Sequence, residues 1–305
     1  MQNSFFCKNP FINLYDRPSF NSKVGSQIIY GEKFKIIKKE KNFFKIRTKY
    51  DNYIGYIKPT KYLTNFAGTH KVSVLKSRIF KYPKNLKKFK SKKFLSFSSK
   101  IQVLKKKNNF VMFDKNKWLF TKDIKLINQK EKNIIKVLKL FLNWKYKWGG
   151  KTYRGIDCSA LIQIFYKFNN KFFPRDTVDQ IKYIKGNSTR KKFKSREIIY
   201  WKGHVALCIN SKKLIHAYGP KKKVIIMPIN ETIKIVEKTA NLKIKKKFKK
   251  GDIIFWKGHI AVCINSNNLI HAYGPKKKVV IMPIQKTIKR IERTAKLKVK
   301  KVFRI

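Results

Sequence analysis

Acidic side chains are scarce in this chain: 15 Asp and Glu stand against 76 Lys and Arg, a formal charge of +61 over 305 residues. Cysteine is scarce too. Cys7, Cys158, Cys208 and Cys263 lie far apart with no C-x-x-C pair, which excludes a disulfide framework and a cysteine-based zinc site. Cys208 and Cys263 fall inside the apolar runs VALCI and IAVCI and read as small buried hydrophobes; Cys7 reads as a terminal bystander. No apolar run reaches the ~18 residues a membrane-spanning helix needs. The opening MQNSFFCKNPFINLYDRPS lacks a basic segment followed by an apolar stretch of roughly 7–15 residues. The expectation is a soluble cytoplasmic protein with no membrane span, or a periplasmic or extracellular one if the true start lies upstream.

The lysine excess has two readings. An excess of this size attracts polyanions. The lysines are spread over nearly every segment, however, and Asn, Ile, Phe and Tyr are abundant with them. That joint bias reads as codon drift in an AT-rich genome before it reads as a selected site. No specific nucleic-acid partner is expected, but acidic substrates are favoured.

Length allows two or three domains. Residues 10–63 show short alternating runs (QIIYGEKFKIIKK, FFKIRT, YIGYIK) broken by turn residues at Asn42 and Asp51-Asn52, the pattern of a small β-barrel. Residues 68–127 repeat the theme more faintly, and 129–133 form a polar linker. The period then changes. IIKVLKLFLNW (134–144) has helical spacing, Tyr146 to Gly150 is a glycine-broken loop, and a second helix opens at Asp157 or Cys158 with the face Leu161, Ile162, Phe165, Tyr166 and Phe168. EIIYW, HVALCIN, KKLIHAY and KVIIMPI read as strands, INETIKIVEKTA as a helix and LKIKKKF as a last strand. A helical half followed by an antiparallel half is an α+β pattern.

One stretch is written twice. Residues 197–247 and 252–302 match at 36 of 51 paired positions, with a constant offset from Trp201 to Trp256 and from His204 to His259. Four of the five histidines lie in the repeat: His204, His216, His259 and His271. The fifth, His70, receives no role. A cysteine at a helix N-terminus gains from the dipole and free N–H groups there. A histidine on a facing strand takes its proton, and a second polar group holds the imidazole. Cys158, His204 and His216 have that order, and the 12-residue spacing of the two histidines suits neighbouring strands joined at Asn210-Ser211-Lys212. The structural alternative, a buried helix cap beside two strand histidines, stays open on spacing alone. A four-histidine metal centre is a remote third arrangement.

The residues around these positions carry a resemblance. YKWGGKTYRGIDCSALIQ, then FPRDTVDQ, then WKGHVA, then LIHA closely resemble the NlpC/P60 family of papain-like cysteine peptidases, which cleave bacterial cell-wall stem peptides. NLYDRPS, the GE pair and DNYIGYI resemble a bacterial SH3-like domain. The fold this implies is α+β: a papain-like NlpC-type catalytic domain behind two small SH3-like β-barrels, with a duplicated C-terminal β half-domain. The expected bounds are 1–66 and 67–129 for the barrels, 130–247 for the peptidase domain and 248–305 for the duplicate.

The resemblance further implies Cys158 as nucleophile, His204 as base and then acid, and His216 as the imidazole-orienting residue, with no cofactor and no metal. It implies a backbone oxyanion donor at Cys158 and a substrate pocket lined by Asp157, Tyr146, Ser159 and Thr177. Asp157 would bind the ammonium of a free N-terminal L-alanine, although a plain N-cap also explains it. Tyr53 or Tyr56 would wall the cleft. Lys151 and Arg154 would draw the substrate carboxylates, and Arg175 is as readily structural. The partners expected are acidic peptidoglycan-derived peptides.

Two features point to different copies of the histidine half. Family members carry Gly-Asp before its first strand; the first copy has Arg196-Glu197 and the second Gly251-Asp252. Spacing from Cys158 favours His204 and His216, with His259 and His271 as the alternative pair. The spare copy would dock peripherally, swap into a second molecule as a domain-swapped oligomer, or stay poorly packed. Three functions follow in order: a peptidase trimming murein peptides after γ-D-glutamate, an exported wall endopeptidase whose SH3-like domains bind the wall, and a non-catalytic binding protein.

Overall fold

In the computed structural model of the chain, residues 5–81, 90–184, 193–201, 203–239, 250–256, 258–295, 297 and 301–303 are described. The chain divides into two compact units, Met1–Ala240 and Asn241–Ile305. Among the described residues five α-helices stand among many short strands, and no helix is long and apolar enough to cross a membrane.

The first module contains β1 (Phe5–Cys7), β2 (Phe11–Tyr15), β3 (Val24–Ile29), β4 (Lys33–Glu40), β5 (Phe43–Thr48), β6 (Ile54–Ile57) and β7 (Tyr62–Leu63). They bond in the order β3-β2-β6-β5-β4-β1-β7, around Leu14, Ile28, Phe34, Ile46 and Ile57. The second contains β8 (His70–Val72), β9 (Lys76–Phe80), β10 (Lys90–Ser96), β11 (Lys100–Ile101), β12 (Lys105–Lys107), β13 (Phe110–Asp114), β14 (Lys117–Phe120) and β15 (Ile124–Leu126). Here β10-β9-β14-β13-β12 and β11-β8-β15 form two sheets over one core of Val72, Ile79, Leu95, Val111 and Leu119.

Neither module is the closed barrel that the alternation predicts. In the first, β3 and β7 are the two free ends of the order. The β3 edge is covered by residues 149–152, ahead of the cysteine helix, and not by a strand hydrogen-bonded into the same sheet. Gln27 Oε1 accepts from the Lys151 N–H at 2.9 Å. Gly149 sits at φ +69° so close that a Cβ there would lie 2.1 Å from the Val24 carbonyl oxygen, an approach only glycine allows.

The third module holds α1 (Ile134–Lys139), the hairpin β16 (Lys151–Thr152) and β17 (Gly155–Ile156), α2 (Cys158–Phe168), α3 (Thr177–Tyr183), β18 (Ile198–Trp201), β19 (His204–Cys208), β20 (Lys213–Tyr218), β21 (Lys223–Pro228) and α4 (Ile229–Thr239). The four strands pair in sequence order. Helix α1 is shorter than its spacing suggests. Asn143 adopts φ +62° and its N–H donates to Val224 O at 2.9 Å, so the chain leaves the helix to pair beside β21. The expected last strand LKIKKKF (242–248), with the boundary at 247, lies outside the described residues.

Helix α2 is enclosed nearly all round. Ala160, Leu161, Ile162 and Phe168 join Val205, Leu207, Ile215, Ala217 and Val224 of the sheet in one core, with Phe97 of the second module. Its polar positions are buried as well, and the first module supplies their partners. Gln163 Nε2 donates to Asp51 Oδ2 at 2.9 Å. Lys167 Nζ and Lys151 Nζ lie 2.9 and 3.1 Å from the same Glu32 oxygen. Burial opposes the charge on Glu32, yet the two ammonium groups outweigh it and hold the carboxyl down to about 2.

The second unit repeats this sheet with β22 (Ile253–Trp256), β23 (His259–Cys263), β24 (Asn268–Tyr273), β25 (Lys278–Pro283), α5 (Ile284–Thr294) and β26 (Lys301–Phe303). The pairs Trp201↔His204, Leu207↔Ile215 and His216↔Ile225 recur as Trp256↔His259, Val262↔Ile270 and His271↔Val280. Helix α5 closes a core of Ile254, Trp256, Cys263, Leu269, Ile284 and Ile291.

Two stability outcomes follow. Replacing Glu32 by Ala strands two buried ammonium groups and is expected to cost about 3–5 kcal/mol, measured by urea unfolding. At the turn entering each sheet, Gly251 has φ +88° but its counterpart Arg196 is held at φ +71°. Arg196→Gly removes that strain, and a gain of roughly 1 kcal/mol in the same experiment is expected; a loss would contradict the reading.

Candidate active site

The site begins where α2 begins. Asp157 is the N-cap: its Oδ1 accepts the Ala160 N–H at 2.9 Å and the Ser159 hydroxyl at 3.2 Å. Arg175, from the loop before α3, grips the same carboxylate with two nitrogens, Nη1 to Oδ1 at 3.0 Å and Nη2 to Oδ2 at 2.6 Å. Its Nε donates to Ser26 Oγ of the first module at 3.0 Å. The guanidinium is buried, and its planar fork matches a carboxylate in a way lysine does not. Arg175 is therefore a site-building residue that the sequence left undecided. Among the described residues Oδ2 accepts from Arg175 Nη2 alone and keeps a lone pair.

Cys158 is the first residue of α2 and is 5% exposed. Its Sγ lies 4.0 Å from Gly203 O, and the backbone of Val205 also bonds it; these residues flank His204. Burial pushes the thiol up to about 12, Asp157 adds to the rise, and those backbone bonds and Arg175 oppose it. The resting pair is thus neutral thiol and neutral imidazole. Burial brings His204 down to about 4, and burial together with His204 brings His216 down to about 3.

His204 Nε2 and His216 Nδ1 are 2.8 Å apart. His216 is fully buried, stacks on Tyr218 with ring centroids 4.8 Å apart, and places its Nε2 3.4 Å from Met227 Sδ. A thioether only accepts, so the proton of His216 sits on Nε2 and its Nδ1 accepts. His204 must then donate from Nε2, which leaves its Nδ1 as the basic lone pair. Met227 was not singled out in the sequence, although its recurrence as Met282 in the repeat was a signal. The second unit has the same relay: His259 Nε2 to His271 Nδ1 at 2.8 Å and His271 Nε2 to Met282 Sδ at 3.4 Å.

The other expected residues fall as follows. Ser159, the second residue of α2, and Thr177, the first of α3, are both buried. Gln180 of α3 donates to Ser159 O at 3.0 Å, tying the two helices. Burial raises the Tyr146 hydroxyl, with the charges of Cys158 and Asp157 adding to it. Tyr53 is raised by burial and then by Asp176, with Asp16 and Asp51 also contributing; Tyr56 instead donates to Glu40 at 3.2 Å. Lys151 does not serve a substrate, because it is buried against Glu32. Arg154 is exposed. Among the described residues no three His, Cys, Asp or Glu side chains group as metal ligands.

The NlpC/P60 family profile matches residues 143–237, and that of the bacterial dipeptidyl-peptidase Sh3 domain matches 14–61. The chain therefore carries an NlpC/P60 domain, of a peptidase family, behind an SH3 domain of the kind found in bacterial dipeptidyl-peptidases. It is 28% identical over 178 residues to a γ-D-glutamyl-L-lysine dipeptidyl-peptidase of Bacillus subtilis, covering 54% of this chain and 59% of that protein. It is 22% identical to dipeptidyl-peptidase 6 of Lysinibacillus sphaericus, covering 67% of this chain and 84% of the other. Its fold is similar to that of a solved NlpC/P60 family protein from Bacillus cereus, with TM-score 0.61, 17% identity and coverage of 74% and 94%.

The depressed histidines set a pH dependence. An unfolded imidazole titrates near 6.5, while His204 and His216 bind protons only near 4 and 3. Their contribution is full above 6.5 and is lost as the pH falls from 6.5 toward 4. Urea midpoints measured from pH 7 to 4.5 are expected to fall less steeply in His204→Gln/His216→Gln than in wild type.

Proposed function

We propose that the chain is a cysteine peptidase that hydrolyses peptidoglycan stem peptides after γ-D-glutamate, acting on peptides with a free N-terminal L-alanine. The observations that support this are the relay of His204, His216 and Met227 and the placing of Cys158 at the start of a buried helix, its Sγ 4.0 Å from the carbonyl oxygen of Gly203 next to His204. As Sγ attacks the scissile carbonyl carbon, the thiol proton passes to His204 Nδ1. The oxyanion is met by the Cys158 N–H. Collapse breaks the C–N bond, His204 returns the proton to the leaving amine, and a thioester remains. Water, deprotonated by His204, then releases the acid.

The amino end of the substrate is read by charge. In a chain with so few acids, Asp16, Asp51, Asp157 and Asp176 all act on the Arg175 and Tyr53 neighbourhood. Arg175 neutralises one of them, and the remaining negative charge with the free lone pair on Asp157 Oδ2 suits an ammonium. Tyr53 is the better of the two wall tyrosines. Tyr146, Ser159 and Thr177 line the same pocket. The names of the relatives support lysine or another diamino acid as the residue after the cleaved bond. Murein peptide recycling is the role this specificity fits.

Hydrolysis of L-Ala-γ-D-Glu-L-Lys and its diaminopimelate counterpart tests the reading. Cys158→Ala and His204→Ala are each expected to lower kcat on the order of 10⁴-fold, while His259→Ala keeps wild-type turnover. Met227→Leu removes the acceptor for one buried N–H, worth about 1 kcal/mol, and is expected to lower kcat several-fold at unchanged KM. An inactive wild type on both peptides sinks the assignment; loss in His259→Ala alone moves the base to the second copy.

A further inference from the structure

The sheet of the second unit has a bare apolar face whose counterpart in the first unit is a core. Strand alternation sends Ile254, Trp256, Ala261, Cys263 and Leu269 into the core closed by α5. The opposite face carries Ile260, Val262, Val279 and Ile281, exposed at 48%, 39%, 63% and 60%. The matching positions of the first unit are Val205, Leu207, Val224 and Ile226. Three of these are 0% exposed, and all four pack in the core that holds α2. All eight residues are aliphatic and the strand register is the same; what differs is the helical layer. The chain has one α2 and two sheets built to receive it.

We propose that this bare face pairs with the same face of a second copy of the chain. The argument is one of stoichiometry. If the face took α2 from another molecule, the sheet that already covers that helix would be exposed in its place, and no apolar area would be gained. Two bare faces laid on each other leave none, and a two-fold contact closes without a free end. The four residues are aliphatic and uncharged, which suits sheet-on-sheet packing at about 10 Å. Five strands of about five residues present a face on the order of 400 Å², so the dimer is weak and concentration-dependent. Lysines elsewhere on the two chains repel, and salt screens that repulsion. The dimer therefore strengthens with salt, whereas bridging by contaminating nucleic acid weakens.

Sedimentation equilibrium on the full, nuclease-treated chain tests this from about 5 to about 200 µM, at about 0.1 and 0.5 M salt. The average mass is expected to climb from 36.3 kDa toward twice that value, further at the higher salt. Ile281→Lys and Ile260→Lys, each at a position already exposed, are expected to hold the chain at monomer mass with an unchanged circular-dichroism spectrum. A wild type that stays at monomer mass throughout overturns the proposal. So does association that the lysine variants share, or that salt abolishes.

Discussion

The doubly bonded pair of Arg175 and Asp157 is the constraint on which the rest of the site depends. It fixes the first turn of α2 and so the position of Cys158, and the same guanidinium reaches Ser26 of the first module. One side chain thus joins the start of the nucleophile helix, the loop before α3 and a strand of the SH3 domain. Both partners are buried, where removing either leaves the other as an uncompensated charge. The arrangement is expensive to break, and it gives the nucleophile a single place to be.

Scarcity of acid gives these contacts their character. A chain at +61 has many cations to leave in solvent and few anions with which to bury any. It uses Glu32 for Lys151 and Lys167 and Asp51 for Gln163 at module junctions, and Asp157 for Arg175 within the third module. The lysine-rich composition therefore describes the surface, while the interior of the first unit is organised around carboxylates. The neutral thiol and imidazole follow from the same burial, which disfavours any charge without a partner.

Much of this was legible in the sequence. The repeat, the helix opening at Asp157-Cys158 and the pairing of His204 with His216 across adjacent strands follow from periodicity and a 12-residue spacing. These are local facts. The partners of Glu32 and Arg175 were not legible, because they meet across 119 and 149 residues of chain and depend on how modules pack. Lys151 looked available to a substrate for the same reason. The barrels were expected closed because alternation reports strands, not their edges, and the β3 edge is taken by residues 149–152 of another module. Met227 was missed because a thioether rarely announces itself as a hydrogen-bond acceptor.

The central claim is that His204, oriented by His216, is the base for Cys158. Its most direct test is the rate of alkylation of Cys158 by iodoacetamide, followed by mass spectrometry, in wild type, His204→Ala and His259→Ala. The account requires fast labelling of wild type and His259→Ala, with His204→Ala slowed to the rate of an unassisted buried thiol. Equal rates in wild type and His204→Ala would contradict it.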